Sequence, residues 1–497
     1  MWIHVDTANP LFIQDLRLIV PQSFVFYTSR WFPLALHPKT HNSFPTMSQL
    51  RCDERIPAPP EDQFNFALQA LCEQTMHFVI AFDGHLDVTR LLTACAQTLA
   101  VVPLLGCRFV EATAPYWERI TTLDPRDLVE VHPASGSDDD LQHILALPCD
   151  PATRPPVRHD ILRDETRDTL CITVHHAVMD AHGLILYAGL LAGCYRDPKM
   201  ACGTVPSSCP DRSLTGILSR FPAVAPVPET VMPEPRYTGW VFPAPSGTCT
   251  QRAFAIRTLP PTRLPEIRRA AKAHGATVND LILAAFFSAL CDAIHPEPGL
   301  LVPIMLSIDL RRYLNGSSGG QKSAPGGPDN SVTFDAFAAS ISENIANLSV
   351  AFIVMLPTGI LSMDARIAAA TAAMRVHKTN NPGIASAIDV ESFGLANYPG
   401  ILDRIRQMNE EAVKNGTNVP FLGNIGIIPD AATAFSPDLP VKNAFLVGIV
   451  LNPPGIALGV TTFCDRMTLS IGYGSTTIPR AQMEEFLDTI VRYLPGA

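Results

Sequence analysis

The sequence contains 497 residues, of which 47% are hydrophobic, so the chain is long enough to bury one large core or two. Its formal net charge of −10 argues against nucleic acid or an anionic membrane surface as a principal partner. No stretch reaches the roughly 18 consecutive apolar residues of a membrane-spanning helix, so we expect no membrane span.

The cysteines indicate a reducing environment. Twelve cysteines are scattered singly along the chain and none lies in a Cys-x-x-Cys pair, which argues against a zinc-binding or thioredoxin-like protein. Several lie within apolar runs, where buried and reduced thiols are typically found. The N-terminus lacks a basic region followed by an apolar core, so no secretory signal is expected. These features predict a cytoplasmic protein.

The first part of the chain begins irregularly. Residues 1–55 carry scattered aromatic residues and prolines, and we interpret them as an irregular N-terminal extension. Alternating hydrophobicity then predicts a strand from Met76 to Gly84, and a helical period predicts a helix from Leu86 to Leu99 with Asp87 as its N-cap. Residues 111–147 are polar and predicted to be rich in loops, with a solvated turn or a helix start at Asp138–Asp140.

The most informative stretch begins at Thr169. Leu170 to Val174 is a β-branched and apolar run, which predicts a buried strand that ends at two adjacent histidines, His175 and His176. Side chains alternate across a strand, so one histidine is expected to face a cavity and the other the packed sheet.

A turn and a helix follow the two histidines. Asp180 lies on a turn to which Gly183 contributes, and Leu184 to Tyr195 is predicted to be an apolar helix. A histidine at the end of a rigid strand, with a carboxylate nearby to hold the turn or the ring, has the arrangement that a general base needs.

Proline density marks a boundary near the middle of the chain. Residues 200–247 are rich in proline and predict an extended linker between two lobes. Helices are predicted at 264–274 and from about 278 onward, with Thr277 or Asn279 as the cap. Residues 316–329 are rich in glycine, serine and proline and predict an exposed, flexible loop.

The pattern His-His-x-x-x-Asp-x-x-Gly at residues 175–183 resembles the active-site motif of the CoA-dependent acyltransferases related to chloramphenicol acetyltransferase. Within that superfamily, the resemblance is greatest to stand-alone proteins like nonribosomal peptide synthetase condensation domains and to polyketide-associated acyltransferases. The common motif has a glycine directly after the aspartate, whereas this chain has Ala181. Further segments resemble the superfamily in the same order, so the resemblance covers roughly residues 56–497; they are 56–65, 76–111, 277–285, 307–313 and 420–428.

The resemblance implies an α/β fold with two chloramphenicol acetyltransferase-like lobes, each a mixed sheet flanked by helices. The lobes are expected to form a V with a central channel. We assign residues 56–199 to an N-terminal lobe that carries the catalytic motif and residues 248–497 to a C-terminal lobe. Two lobes in one chain favour a monomer.

The resemblance also implies roles for individual residues. His176 is the expected general base, and Asp180 is expected to form a salt bridge that shapes the site, with Arg311 as its partner and Arg312 as the alternative. His175 belongs to the same motif. Asn424 is expected either to donate a hydrogen bond towards the channel or the oxyanion, or to be an ordinary turn residue.

Other interpretations of the same residues remain open. The two histidines can be a buried, satisfied pair, and His175, His176, Asp180 and His182 can be read as metal ligands. Adjacent strand residues point in opposite directions, so His175 and His176 do not readily share a metal. We therefore expect no metal site.

The function that the resemblance implies is acyl transfer from a thioester to a hydroxyl or amine acceptor, in secondary or lipid metabolism. No tightly bound cofactor is expected, and acyl-CoA or a phosphopantetheine thioester would be the co-substrate. The sequence contains no carrier-protein segment, so an acyl carrier protein would act in trans. The alternatives are a repurposed condensation-like protein that binds a carrier protein or catalyses cyclisation, and a zinc hydrolase.

Overall fold

The computed structural model describes eight ranges of the chain: 55–198, 211–221, 251–314, 344–379, 381, 383–395, 397–453 and 455–496. These residues belong to one compact unit. The predicted N-terminal extension, apart from Arg55, and the predicted flexible loop at 316–329 lie outside the described residues. Within the predicted linker, 211–221 is described and contains a short helix.

The strands are numbered in chain order. They are β1 (Arg55–Pro57), β2 (Cys72–Glu73), β3 (Thr75–Phe82), β4 (Cys107–Val110), β5 (Tyr116–Arg119), β6 (Val129–Pro133), β7 (Val157–Arg163), β8 (Asp168–His175), β9 (Arg252–Thr258), β10 (Leu301–Asp309), β11 (Ser349–Pro357), β12 (Phe421–Ile428), β13 (Val441–Val447), β14 (Val450–Leu451), β15 (Ala457–Phe463) and β16 (Arg466–Gly474).

The α-helices are numbered in the same way. They are α1 (Pro60–Ala67), α2 (Val88–Val101), α3 (Asp138–Ala146), α4 (Ala181–Arg196), α5 (Thr215–Leu218), α6 (Arg263–Ala273), α7 (Val278–Ile294), α8 (Met363–Thr379), α9 (Ile384–Leu395), α10 (Tyr398–Asn415) and α11 (Arg480–Tyr493).

The first large sheet contains the motif strand. Its order is β13-β3-β8-β7-β6, in which β8 pairs antiparallel with β3 and β7 and only β6 and β7 run parallel. The β8 side chains are buried on both faces, apart from Thr169, which explains the continuous apolar run in its sequence. The central position of β8 gives the two histidines at its end a rigid support.

The second large sheet has the order β11-β10-β12-β15-β16-β9. It is also mixed, because β12 runs parallel to both β10 and β15 while the other pairs are antiparallel. β15 and β16 form a hairpin near the C-terminus, and Cys464 lies in its turn with a left-handed φ of 51°.

Strands from the C-terminal half also join the N-terminal half. β13 pairs antiparallel with β3 in the first large sheet, and β14 pairs with β2. The two halves of the chain are therefore connected by backbone hydrogen bonds as well as by side-chain packing. The lobe boundaries at 56–199 and 248–497 stay predictions.

Each large sheet has its own hydrophobic core. α4 supplies much of the first core and α7 much of the second, and both helices are buried on most of their surface. Mixed sheets with helices packed against them confirm the predicted α/β class. Among the described residues, no single helix is both long and apolar enough to cross a bilayer; α6 and α7 pass that test only as a pair, bent by 97° between them.

The polar stretch 111–147 is more regular than we predicted. It contains β5, β6 and α3, and β6 extends the first large sheet by pairing with β7. The prediction of loops was wrong for β6, because this strand lies at the sheet edge, where most of its side chains are exposed and polar residues are tolerated. The start of α3 at Asp138 agrees with the helix start that was one of the two alternatives there.

A capping box begins α7. The Thr277 hydroxyl accepts a hydrogen bond from the backbone nitrogen of Asp280, and the Asp280 carboxylate accepts one from the Thr277 nitrogen. Lys378 of α8 lies 3.1 Å from the same carboxylate. The cap therefore fixes both the start of the central helix and its contact with α8.

We expect the Thr277→Ala substitution to lower the free energy of unfolding by about 1 kcal/mol, because an N–H at the helix start loses its acceptor. Thr277→Ser keeps the hydroxyl and is the matched control, for which we expect little change. Denaturant unfolding followed by circular dichroism measures both. Equal stability of the alanine and serine variants would contradict the assignment of the cap.

Candidate functional site

Two adjacent histidines lie where β8 ends. His175 is the last residue of β8 and is opposite Thr75 of β3. The backbone nitrogen of His176 still donates a hydrogen bond to the Gln74 carbonyl, at 2.7 Å. The chain therefore leaves the sheet only after both histidines, and their backbone is held against β3.

His175 is the more buried of the pair. Only 1% of its surface is exposed, and its Nδ1 accepts a hydrogen bond from the backbone nitrogen of Ala177, at 3.1 Å. Burial, together with the neighbouring His176, lowers the pKa of His175 to about 3. This neutral ring packs near Phe66, with 6.1 Å between the ring centroids, and holds the turn that follows the strand.

His176 is half-buried, with its Nδ1 atom fully covered. Burial lowers the pKa of His176 below its ordinary value, and the charge of Asp180 opposes this shift. The imidazole is therefore neutral at neutral pH, which is the protonation state of a base that accepts a proton. One histidine is enclosed and the other partly accessible, as the alternation of side chains predicted.

Asp180 connects the motif to the second half of the chain. One carboxylate oxygen accepts a hydrogen bond from the Gly183 nitrogen and so caps α4, at 2.7 Å. The other accepts from Nη1 of Arg311, at 3.0 Å, and from the backbone nitrogen of Leu348, at 2.8 Å. The family resemblance implied a salt bridge between Asp180 and Arg311, and the structure brings these two residues together.

Arg311 bonds to more than the aspartate. Its guanidinium also donates to the backbone carbonyls of Asn344 and Ala346, and to the carboxylate of Asp309. Burial alone would raise the pKa of Asp180, but Arg311 holds it at about 2, so the pair is ionised at neutral pH. A buried charge with this many partners is satisfied.

Gly183 lies in the first turn of α4, so it is part of the helix and does not contribute a flexible turn. A Cβ atom at this position would lie 3.0 Å from Cβ of Met179 and 3.1 Å from the Ala346 carbonyl oxygen. The glycine therefore allows the helix start to approach the segment that Arg311 binds. Ala181, which replaces the more common glycine, is the first residue of the helix and fits there without strain.

Sequence reasoning missed a second buried network beside the motif. Asp62 is fully buried and accepts hydrogen bonds from Nη2 of Arg212, at 3.0 and 3.1 Å, and from the Trp117 indole, at 2.9 Å. Arg212 also donates to the carbonyls of Val178 and Ile345. The Val178 carbonyl links Arg212 directly to the loop after His176, and the Ile345 carbonyl links it to the segment before β11.

Asn347 is the other residue that the sequence analysis missed. Its amide donates to the Ala177 carbonyl at 3.0 Å and to Asp62 at 3.1 Å. The only signals available in the sequence were an asparagine within an apolar run and an arginine within a proline-rich segment, and neither reveals a partner so distant along the chain.

Asn424 lies at an irregularity in β12. Its side-chain oxygen accepts a hydrogen bond from the Gly426 nitrogen, at 3.1 Å, and its amide donates to Asn279, at 3.0 Å. The pairing of β12 with β15 shifts register at this point, and Gly426 has a left-handed φ of 84°. These contacts favour the turn-residue interpretation over an oxyanion donor.

The histidines of the motif do not form a metal-binding group with Asp180. Within the described ranges, the only three ligand-type side chains close enough to share an ion are Glu130, His132 and Asp160. His132 Nε2 lies 2.9 Å from one oxygen of Asp160, whose other oxygen is bound by Arg158 at 2.6 Å. The arginine already supplies the positive charge there.

Comparisons with known proteins identify the fold. Neither the family models nor the curated proteins include a match to this sequence. Among solved structures, a trichothecene 15-O-acetyltransferase from Fusarium sporotrichioides aligns with a TM-score of 0.63 and 14% identity, over 89% of this chain and 95% of that one. The first condensation domain of the calcium-dependent antibiotic synthetase aligns with a TM-score of 0.60 and 18% identity, over 89% and 96%.

A third similar structure is polyketide synthase associated protein 5 from Mycobacterium tuberculosis, with a TM-score of 0.58, 14% identity and coverage of 89% and 98%. The protein shares the chloramphenicol acetyltransferase-like fold of these structures. This confirms the fold that the resemblance implied. In this fold, the two histidines, Asp180 and Arg311 all lie around the loop that leaves β8.

We expect Asp180→Asn to lower the free energy of unfolding by about 3 kcal/mol at pH 7, because Arg311 keeps its buried charge, loses the more buried of its two carboxylate partners and retains only Asp309. The folded pKa of Asp180, about 2, lies below that of an unfolded aspartate, so the pair stabilises the protein above about pH 4. This stabilisation is lost as the pH falls towards 2, and the difference between the variant and the wild type should narrow there.

Urea unfolding at several pH values measures this difference. Asp403→Asn is the matched control, because Asp403 is exposed and its contact with Arg406 is long, at 3.5 Å. An Asp180→Asn loss no larger than that of the control, or a loss that does not change with pH, would contradict a buried ionised pair.

Proposed function

We propose that the protein is an acyltransferase that moves an acyl group from a thioester to a hydroxyl or amine acceptor, with His176 as the general base. The observation that carries the proposal is a neutral, half-buried histidine at the end of a central strand, in a loop that buried ion pairs hold from two sides. Such an arrangement holds a general base in a fixed position while part of its ring stays accessible to substrate.

The proposed reaction needs no acyl-enzyme intermediate, because a thioester is already an activated acyl donor. His176 removes the proton from the acceptor's hydroxyl or amine as its oxygen or nitrogen attacks the thioester carbonyl. When the tetrahedral intermediate collapses, the carbon–sulfur bond breaks and the thiolate takes a proton from the His176 imidazolium. The products are an ester or amide and a free thiol, and the histidine returns to its neutral form.

The neighbouring residues have supporting roles in this proposal. Asp180 and Arg311 fix the loop and the start of α4, so that the His176 ring stays in one place during the reaction. His175 holds the turn through its bond to Ala177 and remains neutral. Neither Asp180 nor His175 carries a proton to or from the substrate.

The donor in this proposal is acyl-CoA or an acyl phosphopantetheine on a carrier protein that binds in trans. Similar solved structures include both an O-acetyltransferase and a condensation domain, so the fold is compatible with either donor. We further propose a single-chain enzyme of the cytoplasm that acts in secondary or lipid metabolism and needs no metal or bound cofactor. The acceptor must be identified by assays with a panel of hydroxyl and amine compounds.

We expect the wild-type protein to release free thiol from at least one acyl-CoA in the presence of an acceptor, and His176→Ala to reduce this rate by about a hundredfold or more. The loss follows because the acceptor would then have no base to take its proton. Thiol release monitored with a colorimetric reagent gives the rate, and mass spectrometry of the products identifies the acylated acceptor.

His143→Ala is the control for this experiment, because His143 is an exposed histidine of α3. If no acyl-CoA reacts, the same assay is repeated with acylated carrier protein; reaction there supports the proposal with a carrier-bound donor. Equal rates for the wild type and His176→Ala would show that His176 is not the general base. No reaction with either donor would favour a repurposed condensation-like protein.

The rate should also depend on pH in a defined direction. Only neutral His176 accepts a proton, and burial lowers the pKa of this group below its ordinary value of about 6.5. We therefore expect the acid limb of kcat/KM to be centred below pH 6.5. An acid limb centred clearly above pH 6.5 would contradict the burial of the base.

A further inference from the structure

Among the described residues, several buried polar atoms around the motif, including Nε2 of His175 and Nε of Arg212, have no hydrogen-bond partner of ordinary geometry, and two of these atoms concern the base. They are Nδ1 of His176 and Oδ1 of Asn347, and both are buried. Leaving a buried donor or acceptor unpaired costs about 1–3 kcal/mol, so each such atom calls for an explanation. The two atoms are complementary when the ring nitrogen carries a hydrogen, because an amide oxygen is an acceptor.

The orientation of the Asn347 amide follows from its surroundings. Its nitrogen faces a carboxylate oxygen of Asp62, at 3.1 Å, and the carbonyl oxygen of Ala177, at 3.0 Å. Both neighbours are acceptors, so exchanging the amide nitrogen and oxygen would bring like partial charges together. The nitrogen therefore uses both of its hydrogens there, and Oδ1 lies on the remaining side of the amide.

Asp62 cannot turn away from Asn347 easily. Arg212 binds both of its oxygens and the Trp117 indole binds one of them, so the carboxylate is fixed inside the protein. Asn347 also contacts the residue that directly follows His176, through the Ala177 carbonyl. The amide is thus held next to the base by contacts that do not involve the base.

The environment of the His176 ring agrees with this geometry. Hydrogen bonding by the backbone of His176 itself and by the Asn347 side chain raises the pKa of His176, against the stronger effect of burial. An acceptor oxygen has this effect, because it stabilises a ring nitrogen that bears a proton. The backbone of His176 and the side chain of Asn347 are therefore the two hydrogen-bonding groups next to the ring.

Resting on the proposed function, we propose that Asn347 is a positioning residue whose Oδ1 accepts the Nδ1 hydrogen of His176 and so selects the tautomer of the base. In a neutral imidazole one nitrogen is a donor and the other an acceptor. Placing the hydrogen on the buried Nδ1 leaves Nε2 with the lone pair that removes the acceptor's proton. Asp62, Trp117 and Arg212 act one step further away by fixing the amide.

The tautomer can be measured without any substrate. Protein labelled with ¹⁵N-histidine is studied by two-bond ¹H–¹⁵N correlation at slightly alkaline pH, where the ring is neutral, and His176 is assigned by the signal that disappears in His176→Gln. We expect the hydrogen on Nδ1 in the wild type. In Asn347→Leu, which keeps the approximate volume and removes the acceptor, we expect the population to shift towards the Nε2–H form.

The same variant tests the catalytic consequence. We expect Asn347→Leu to lower kcat by at least about tenfold with a smaller effect on KM, since the lone pair is then often on the wrong nitrogen. Asn443→Leu is the control, because Asn443 lies on β13 and its amide donates only a long bond to Thr258, at 3.4 Å. This control should change neither the tautomer nor kcat.

Two results would overturn the inference: an Nε2–H tautomer in the wild type, or an unchanged tautomer in folded Asn347→Leu, which would leave the His176 carbonyl as the acceptor that matters. The wild-type measurement decides even if the variant does not fold. A tautomer that shifts as expected in a protein without transfer activity supports the role of Asn347 and refutes the proposed function, so the two failures are distinguishable.

Discussion

The arrangement of this site depends on one buried ion pair, between Asp180 and Arg311. The two residues are 131 positions apart in the sequence, and one end of the pair caps α4 while the other binds the backbone that leads into β11. Two charges removed from water are stable only when all of their hydrogen-bonding groups find partners. Here the partners are backbone groups of the two segments that must stay together, so the pair specifies their contact as much as it stabilises the fold.

Asp62 and Arg212 repeat this principle on the other side of the loop. Arg212 binds the carbonyl of Val178, directly before Met179 and Asp180, and the carbonyl of Ile345, so the same two segments are joined a second time. Between these two pairs, the loop after β8 has little freedom to move. A general base must be held within a fraction of an ångström of its productive position, so this rigidity suits the role proposed for His176.

The sequence predicted the elements that have local signals. Asp87 and Thr277 are N-caps, and the apolar run after Asp180 is a helix. The motif also led to the pairing of Asp180 with Arg311, through a resemblance rather than through any pattern linking the two residues. Residues that have a local signal in the sequence could therefore be singled out from it, whereas their chemical roles belong to the proposed function.

The rest of the fold and of the candidate site was not predictable, because it depends on contacts between segments that are distant in the sequence. Nothing in the sequence of β13 indicates that it pairs with β3 rather than with the strands that follow it. Asp62, Arg212 and Asn347 are ordinary polar residues in their own segments and become informative only when burial brings them together. For Asn424 the sequence left two interpretations open, a hydrogen bond towards the channel or the oxyanion and an ordinary turn residue, and only the structure shows its side chain bound to Gly426 and Asn279.

A double-mutant cycle between Asp180 and Arg311 measures whether the two residues stabilise the protein through their ion pair. The free energies of unfolding of Asp180→Asn, Arg311→Met and the double variant are compared with that of the wild type. We expect the double variant to lose less than the sum of the two single losses, with a coupling free energy above about 1 kcal/mol. Losses that add within about 0.3–0.5 kcal/mol would show that the two residues act independently and that their ion pair does not hold the loop after β8.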